Sequence, residues 1–414
     1  MTPWKRISAV AALAAAAIPA WADSRPTPPD LPPTELARQS IDQAPAVEAR
    51  RALAASTHGA AALRVGPNEW TTKLSAQRRR YDNAGTSNEW NAALERTIRI
   101  GGKAEIDAQL GDAELLIGRA RVGEARRDVA RALADLWIDA SATSRQRDLW
   151  AEQLGFAEAS HQAVDKRRKA GDASVLDLNV ARADLIEVQR QLSAASTAVA
   201  KARARLEVRF PTLNYEPRPV AEPIELGMTL PQWRERILAE SEPVKIAEGL
   251  LKKAELTAAR SRAERIPDPT VGVYTASEAF RSERVIGLSL SIPLSGRYRS
   301  ERMQQALQEA EAARAMVERQ RREEEAQIVE AYVDAEGGLA RWRLASQGLS
   351  TTRDSARLTQ RAYSLGEADL QTLLLARRQA LDASTAAEQA RAETLRWQYR
   401  LLVDAHLIWA LGED

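Results

Sequence analysis

The sequence predicts a mainly α-helical protein with four β-strands, in which one series of elements occurs twice. Long stretches without proline place apolar residues at helical spacing, and two shorter regions alternate apolar and polar residues as strands do. A glycine turn motif also recurs 195 residues further along the chain. The composition agrees, because an alanine-rich, strongly charged chain with 3 phenylalanines is typical of long helices rather than of a thick apolar core.

The first residues have the pattern of a secretory signal. Lys5 and Arg6 precede an apolar run, and Ala20 to Ala22 form a small-x-small cleavage site. The run is shorter than the roughly 20 apolar residues that a spanning helix needs. We therefore predict a signal peptide over 1–22, an exported mature chain, and a Pro-rich leader over 23–33.

The first copy of the series spans residues 34–210. A helical pattern ends at Gly66-Pro67-Asn68, and apolar residues occupy alternate positions from Trp90 onward. The alternation indicates a strand, with the stretch from Trp70 to Tyr81 as its hairpin partner. The predicted elements are a helix over 34–64, a hairpin over about 68–100, a long helix over 103–169, a turn at Gly171 and a helix over 174–208.

Four prolines mark a linker over 211–229, and the series then begins again over 230–414. In the second hairpin, apolar residues from Ile286 to Leu294 alternate with small and polar ones, so that one face is apolar and the other is not. The predicted elements are a helix over 230–266, a hairpin over about 270–294, a long helix to about 364, a turn at Gly366 and a helix to about 411.

The spacing of matching motifs predicts an internal two-fold sequence repeat. Gly171-Asp172-Ala173 and Gly366-Glu367-Ala368 lie 195 residues apart, and other pairs keep the same offset. A constant offset over separated motifs favours duplication over the chance similarity of long helices. The other pairs are Ala181-Arg182 with Ala376-Arg377, and Trp137-Ile138-Asp139 with Tyr332-Val333-Asp334.

The composition excludes several function classes. The chain has 59 basic and 57 acidic side chains, a balance that argues against nucleic-acid binding. It has no cysteine, and His58, His161 and His406 lie far apart without metal-ligand spacing. No nucleophile elbow, phosphate loop or dinucleotide fingerprint occurs. We expect no enzyme activity, no metal site and no cofactor.

The two hairpins have the dimensions of membrane strands. Segments of about ten residues match a tilted transmembrane strand, and nearby aromatic residues could form interfacial girdles. Taken alone, the pattern also fits ordinary surface hairpins. The predicted export of the chain favours the interpretation as membrane strands. Because about eight strands are the practical minimum for closure, a membrane role requires two or three copies, giving eight or twelve strands. The aromatic candidates are Trp70, Tyr81, Trp90, Tyr274 and Phe280.

Several motifs resemble the TolC family of outer-membrane efflux proteins, over nearly all of the mature chain. They are the turn motifs at 170–177 and 363–368, Pro267-Asp268-Pro269, and the strand at 287–294. Ile100-Gly101-Gly102-Lys103 is similar to the segment that follows the first hairpin in the CzcC-like heavy-metal branch. The order of the motifs carries the resemblance, since each is short.

The resemblance implies a homotrimer with a 12-stranded barrel in the outer membrane and an α-helical tunnel, a coiled-coil barrel, extending into the periplasm. It further implies a periplasmic adaptor (membrane fusion protein) and an inner-membrane pump of the RND or a related type as partners. The implied function is efflux of small substrates, metal cations or drugs. Two alternatives remain: the channel of a type I protein secretion system, and a soluble periplasmic coiled-coil scaffold or adaptor.

The resemblance also assigns roles near the glycine turns. Asp177 and Tyr363 match residues of the periplasmic gate, while Ala368 stands where the family prototype has a gate arginine. The alternative for Asp177 is a solvated helix cap. At the repeat offset, Thr372 stands opposite Asp177 and Arg168 opposite Tyr363. The expected adaptor contacts are the helix tips at Gly171, Asp172, Gly366 and Glu367.

Overall fold

A computed structural model describes residues 27–82, 84–216, 220–294, 296–409 and 411. The predicted signal peptide (1–22) and the start of the leader lie outside the described residues. The helices are α1 (Thr34–Asp42), α2 (Pro45–Val65), α3 (Lys103–Lys169), α4 (Val175–Arg209), α5 (Leu230–Glu240), α6 (Glu242–Ala263), α7 (Arg297–Leu365) and α8 (Leu370–Asp404). The strands are β1 (Trp70–Tyr81), β2 (Gly85–Thr97), β3 (Thr270–Glu278) and β4 (Glu283–Ser291).

Two helices predicted as continuous are each divided before a proline. The helix predicted over 34–64 is broken between α1 and α2, where Ala44 is extended and Pro45 starts the new helix. The helix predicted over 230–266 is broken at Ser241, two residues before Pro243. Proline disfavours helical backbone in the residue before it and is well accepted in the first turn, so each proline lies in the first turn of the new helix.

The last helix is also shorter than predicted, ending at Asp404 instead of near 411. His406 adopts a left-handed backbone with φ 54°. The amide of Leu407 donates to the carbonyl of Leu402 over 2.9 Å, and that of His406 donates to Val403 over 3.0 Å. These two bonds form a Schellman motif, which closes the helix.

Two long helices, α3 with 67 residues and α7 with 69, form the axis of the chain. At 1.5 Å per residue each is about 100 Å long. Helices α2 and α4 pack against α3, α6 and α8 pack against α7, and α3 joins the two groups through α6 and α8. The order of two helices, two strands, a long helix and a helix therefore occurs twice.

The main apolar core lies at the middle of the long helix α3. Leu133 and Trp137 of α3 pack with Leu206 at the end of α4 and Leu395 of α8, and all four are buried. The leader joins this core, because the Trp137 indole Nε1 donates to the carbonyl of Asp30 over 2.5 Å. A second cluster attaches α5 to α7 and α8. The short helices and the leader thus stabilise the middle of the long pair.

The two predicted hairpins form one antiparallel sheet in the order β1-β2-β3-β4. β2 pairs with β3 from Trp90↔Ser277 to Thr97↔Thr270, which joins the two copies of the series. β2 begins at Gly85, earlier than the alternation from Trp90 predicted. Within the described parts of the chain, no helix is both long and apolar enough to cross a bilayer.

Candidate membrane sheet and helix tips

The register of the sheet collects its apolar side chains on one face. Directly paired residues share a face, and Leu94, Val273 and Leu288 lie side by side across β2, β3 and β4. Leu94 is 40 % exposed, Val273 51 % and Leu288 85 %. The same face, called here the apolar face, also carries Trp70, Leu74, Trp90, Ala92, Ile286 and Leu290.

The opposite face, called here the polar face, carries charged and hydrogen-bonded side chains. Lys73 Nζ lies 2.6 Å from Glu95 Oε2. Glu89 accepts a hydrogen bond of 3.0 Å from Gln77 and lies 3.3 Å from Arg79 Nε. A sheet in a water-soluble protein normally buries its apolar face against a second layer. In this sheet the polar side chains have hydrogen-bond and ion-pair partners, whereas the apolar side chains are exposed.

No helix in the described chain packs extensively on the sheet, whose contacts are among its own strands and with the turn 279–281. The apolar face is therefore uncovered within one chain. A contiguous apolar patch of this kind is unusual on a water-soluble monomer and marks a surface for membrane or for protein. The edge strands β1 and β4 also leave backbone donors and acceptors without strand partners.

Two tryptophans of the sheet, Trp70 and Trp90, lie at the two borders of the apolar face. Trp70 starts β1, and Trp90 is paired with Ala76, six residues further along β1. At about 3.3 Å per residue the borders are roughly 20 Å apart along the strand, which is shorter than the apolar band of about 25 Å in a membrane barrel. The Arg96 guanidinium lies 5.1 Å from the Trp70 ring centroid and places a charge at one border.

Two predicted girdle residues lie on the wrong side for that role. Tyr274 is on the polar face opposite Gly287, where an added Cβ would meet the tyrosine ring at 2.5 Å. Tyr81 is also on the polar face, and its ring lies 5.4 Å from that of Phe280. Alternation of side chains along a strand decides the face, and proximity in sequence does not.

A buried ion pair joins the sheet to the long helix α3. Lys103, 1 % exposed, donates from Nζ to Asp268 Oδ1 and to the Ile266 carbonyl, each over 2.6 Å. The Ile100 amide donates to the same Asp268 oxygen over 3.0 Å. Partial burial disfavours the carboxylate, but these bonds prevail and hold the pKa of Asp268 below its usual value.

This pair connects two motifs that the sequence presents separately. Gly101 and Gly102 both have positive φ, 70° and 74°, and turn the chain so that Lys103 reaches Asp268. The pairing could not be predicted from the sequence, because the two residues are 165 positions apart. The lysine after two glycines and the aspartate between two prolines were visible only as separate motifs.

The glycine turns at the far end of the helices are built alike. Gly171 and Gly366 have φ of 90° and 81°. The amide of Asp172 donates to Arg167 over 2.8 Å, and that of Glu367 donates to Ala362 over 2.9 Å. Both turns are Schellman motifs, in which a left-handed residue ends the helix and glycine is strongly preferred. A contact cluster of Val164, Ala181 and Leu370 brings the two turns together.

Asp177 lies at the start of α4 and caps it. Its carboxylate accepts from the Ser174 amide over 3.1 Å, and its own amide donates to Ser174 Oγ over 3.0 Å. This reciprocal pair is a capping box. The hydrogen bonds from Ser174, aided by Arg167, hold the pKa of Asp177 below its usual value. In the second copy Asp369 stands at the position of Ser174 and caps α8, its carboxylate accepting from the amide of Thr372 over 2.7 Å.

Tyr363 lies half-buried in the cluster that joins the turns. Arg167 donates to its hydroxyl over 3.3 Å, and the guanidinium lies 5.8 Å from the ring centroid. Asp177 and Tyr363 thus belong to the same end of the molecule, with Arg167 near both. Sequence reasoning missed Arg167, since a run of four basic residues at the end of α3 gives no sign of which one faces the second turn.

Among the described residues, no group of histidine, aspartate and glutamate side chains could hold a metal ion. The three histidines are on different parts of the chain, and His406 pairs with Glu242, their atoms 3.3 Å apart.

No family model matches the sequence, and no curated protein matches it. Solved structures do match. The outer-membrane channel OprN has a TM-score of 0.77 and 16% identity, over 91% of this chain and 90% of its own. The outer membrane protein VceC of Vibrio cholerae has a TM-score of 0.73 and 14% identity, over 90% of this chain and 95% of its own. The MtrE outer membrane channel of Neisseria gonorrhoeae, in its open state, has a TM-score of 0.71 and 17% identity, over 92% of this chain and 90% of its own. The chain has the fold of these proteins.

Proposed function

We propose that the chain is a TolC-family outer-membrane protein that forms the exit channel of a tripartite efflux system. The observation that carries this proposal is the sheet, whose uncovered face is apolar and whose opposite face is polar. Lipid satisfies the first face and a water-filled lumen the second, in the alternation that membrane barrels require. The fold shared with OprN, VceC and MtrE supports the same location, in the outer membrane and extending into the periplasm.

The open edges of the sheet support a homo-oligomer. Each unpaired backbone group in lipid costs several kcal/mol, so β1 of one copy must pair with β4 of the next. Three copies give the twelve-stranded barrel of the proposed homotrimer. The long helices then continue the wall below the membrane as the tunnel.

Location and assembly can be tested together with a matched pair of variants. Leu288→Arg places a charge on the apolar face near the middle of β4, and Ser289→Arg places the same charge on the polar face. A lipid-facing arginine costs about 2–4 kcal/mol per chain at the bilayer midplane. We expect the wild type and Ser289→Arg to form a heat-modifiable oligomer in outer-membrane fractions, and Leu288→Arg to lose it.

The same fractionation separates the alternatives. A soluble periplasmic scaffold would be released with periplasmic contents, and both arginine variants would behave alike. The uncovered apolar face disfavours that alternative, because in a soluble scaffold this face would be exposed to water. A type I secretion channel would share the location and the oligomer, so it is distinguished by its cargo.

For cargo, we propose small substrates, metal cations or drugs, delivered by an inner-membrane pump of the RND or a related type through a periplasmic adaptor. Susceptibility of a deletion strain to a metal panel and an antibiotic panel identifies the class. Restoration by the wild-type gene is the control. A deletion that alters only the secretion of a protein would overturn small-molecule efflux.

We further propose that Asp177 and Tyr363 hold the periplasmic end shut, and that the tips at Gly171, Asp172, Gly366 and Glu367 receive the adaptor. The contact between Arg167 and Tyr363 supports a latch between the two turns. Tyr363→Phe removes the hydroxyl and keeps the ring, so single-channel conductance should rise in planar bilayers. Asp177→Ala should raise conductance and reduce cation selectivity, because an acidic ring favours cations. Unchanged conductance in both would contradict the gate.

A further inference from the structure

The turn between β3 and β4 has an unusual backbone. Ala279, Phe280 and Arg281 have φ of 43°, 58° and 72°, all in the left-handed region. Side chains with a Cβ rarely adopt this region, and three successive residues there are rarer still. Such a turn persists only where surrounding contacts hold it.

Those contacts come from the other hairpin. The Phe280 amide donates to Ser87 Oγ over 2.8 Å, and the Ala279 amide donates to Glu89 Oε1 over 3.3 Å. Tyr81 donates from its hydroxyl to the same Glu89 oxygen over 2.9 Å. The second hairpin is therefore fastened to the first at its turn, beyond the last paired residues of β2 and β3.

The contacts place the turn over the polar face. Ser87 and Glu89 both point to that face in the register, yet they are 2 % and 3 % exposed. The turn covers them, since the Phe280 ring also lies against the Tyr81 ring on the same side. The turn thus folds across the sheet instead of continuing away from it, and Phe280 itself remains 50 % exposed.

We propose that residues 279–281 form an inward-folded lid at the outer mouth of the channel, latched by Ser87 and Glu89. The inference rests on the proposed function, because the polar face lines the lumen only in the assembled channel. Three copies bring three Phe280 rings and three exposed Arg281 side chains into the mouth. Bulky solutes pass when the latch opens and the turn leaves the polar face.

The test uses cysteine labelling from outside intact cells, since the chain has no native cysteine. Ser75→Cys is the reporter, because Ser75 lies on the polar face and is further from the hairpin turns than Ser87 and Glu89 are. Asp82→Cys is the reference, because Asp82 is exposed at the turn of the first hairpin. The reagent is a polyethylene-glycol maleimide too large for general porins.

We expect the reporter to label slowly in the otherwise wild-type chain, and about tenfold faster with Ser87→Ala, as loss of one such hydrogen bond implies. Glu89→Ala should accelerate labelling at least as much, because Glu89 accepts from Ala279, Tyr81 and Gln77. Phe280→Ala should also accelerate labelling. Glu95→Ala is the matched control, being on the same strand and face but paired with Lys73 and remote from the turn. It should leave the rate unchanged.

The outcomes separate the lid from the channel. Fast labelling of the reporter in the wild-type background, or equal rates in all variants, overturns the lid. Absence of labelling at Asp82→Cys overturns the proposed function instead, because the hairpin turns then do not reach the cell surface. Labelling of Asp82→Cys in each variant background also shows that the variant has assembled, so a misfolded chain is recognised.

Discussion

The two ends of this chain are completed by different means. At the glycine turns the contacts that end one helix and start the next lie within the chain: both helix ends are closed by Schellman motifs, α4 starts with the capping box of Ser174 and Asp177, and α8 is capped by Asp369. At the sheet an apolar face and two strand edges are left without partners. The helical end is therefore preorganised within one chain, whereas one chain leaves the sheet end incomplete, and in the proposed channel lipid and neighbouring copies complete it.

The sheet is connected to the long helix α3 by the ion pair of Lys103 and Asp268. Lys103→Met removes the buried cation that holds Asp268 and should cost about 3–5 kcal/mol, since it strands the carboxylate. Lys169→Met is the control, because Lys169 makes an ion pair of the same 2.6 Å length but is 69 % exposed. We expect less than about 1 kcal/mol there. Denaturation of the purified protein in detergent measures both, and equal losses would show that the junction is not a special point of stability.

The self-contained end is tested by its glycines. Gly171→Ala forces a Cβ into a backbone with φ 90° and should destabilise by about 1–2 kcal/mol. Gly155→Ala lies within α3 in open space and should stabilise by about 0.5–1 kcal/mol. The same denaturation experiment gives both values. A stabilising Gly171→Ala would mean that the turn is not fixed by its left-handed residue.

The smallest expected effect concerns the pH dependence of the capping box. The pKa of Asp177 is lowered in the folded chain, so its contribution to stability is present above the usual aspartate pKa and is lost as pH falls through the folded value. The Ser174 amide, which donates to the carboxylate, should lose hydrogen-exchange protection in that acid range. In Asp177→Asn this protection should be weaker near neutral pH and independent of pH. Identical pH profiles in the two proteins would contradict the assignment.

Much of the helical architecture could be predicted from the sequence, because it depends on local signals. The absence of proline between Gly102 and Gly171 set the limits of α3, and the structure places it at the predicted residues. The breaks before Pro45 and Pro243 were missed, since a proline can end one helix or begin the next. Pairing of β2 with β3 was not predictable, because it joins segments about 180 positions apart and has no local signature.

The candidate site was predicted to a similar extent. The alternation in β4 correctly indicated one apolar face, but the assignment of Tyr81 and Tyr274 to a girdle was wrong because their register was unknown. Asp177 was expected to be a gate residue or a helix cap; the cap is observed, and the gate remains a prediction. The sequence repeat also remains a prediction, although the order of elements occurs twice.

In the proposed channel the uncovered face of the sheet lies in lipid and the other face in water. Single cysteines at Val285, Ile286, Leu288, Ser289 and Leu290 of β4 test it in the assembled protein in membranes; Gly287 is left unchanged, because a Cβ there would meet the Tyr274 ring. We expect a water-soluble maleimide to label residues 285 and 289, and residues 286, 288 and 290 to remain protected. Equal labelling at all five positions, or the opposite alternation, would contradict this placement of the sheet.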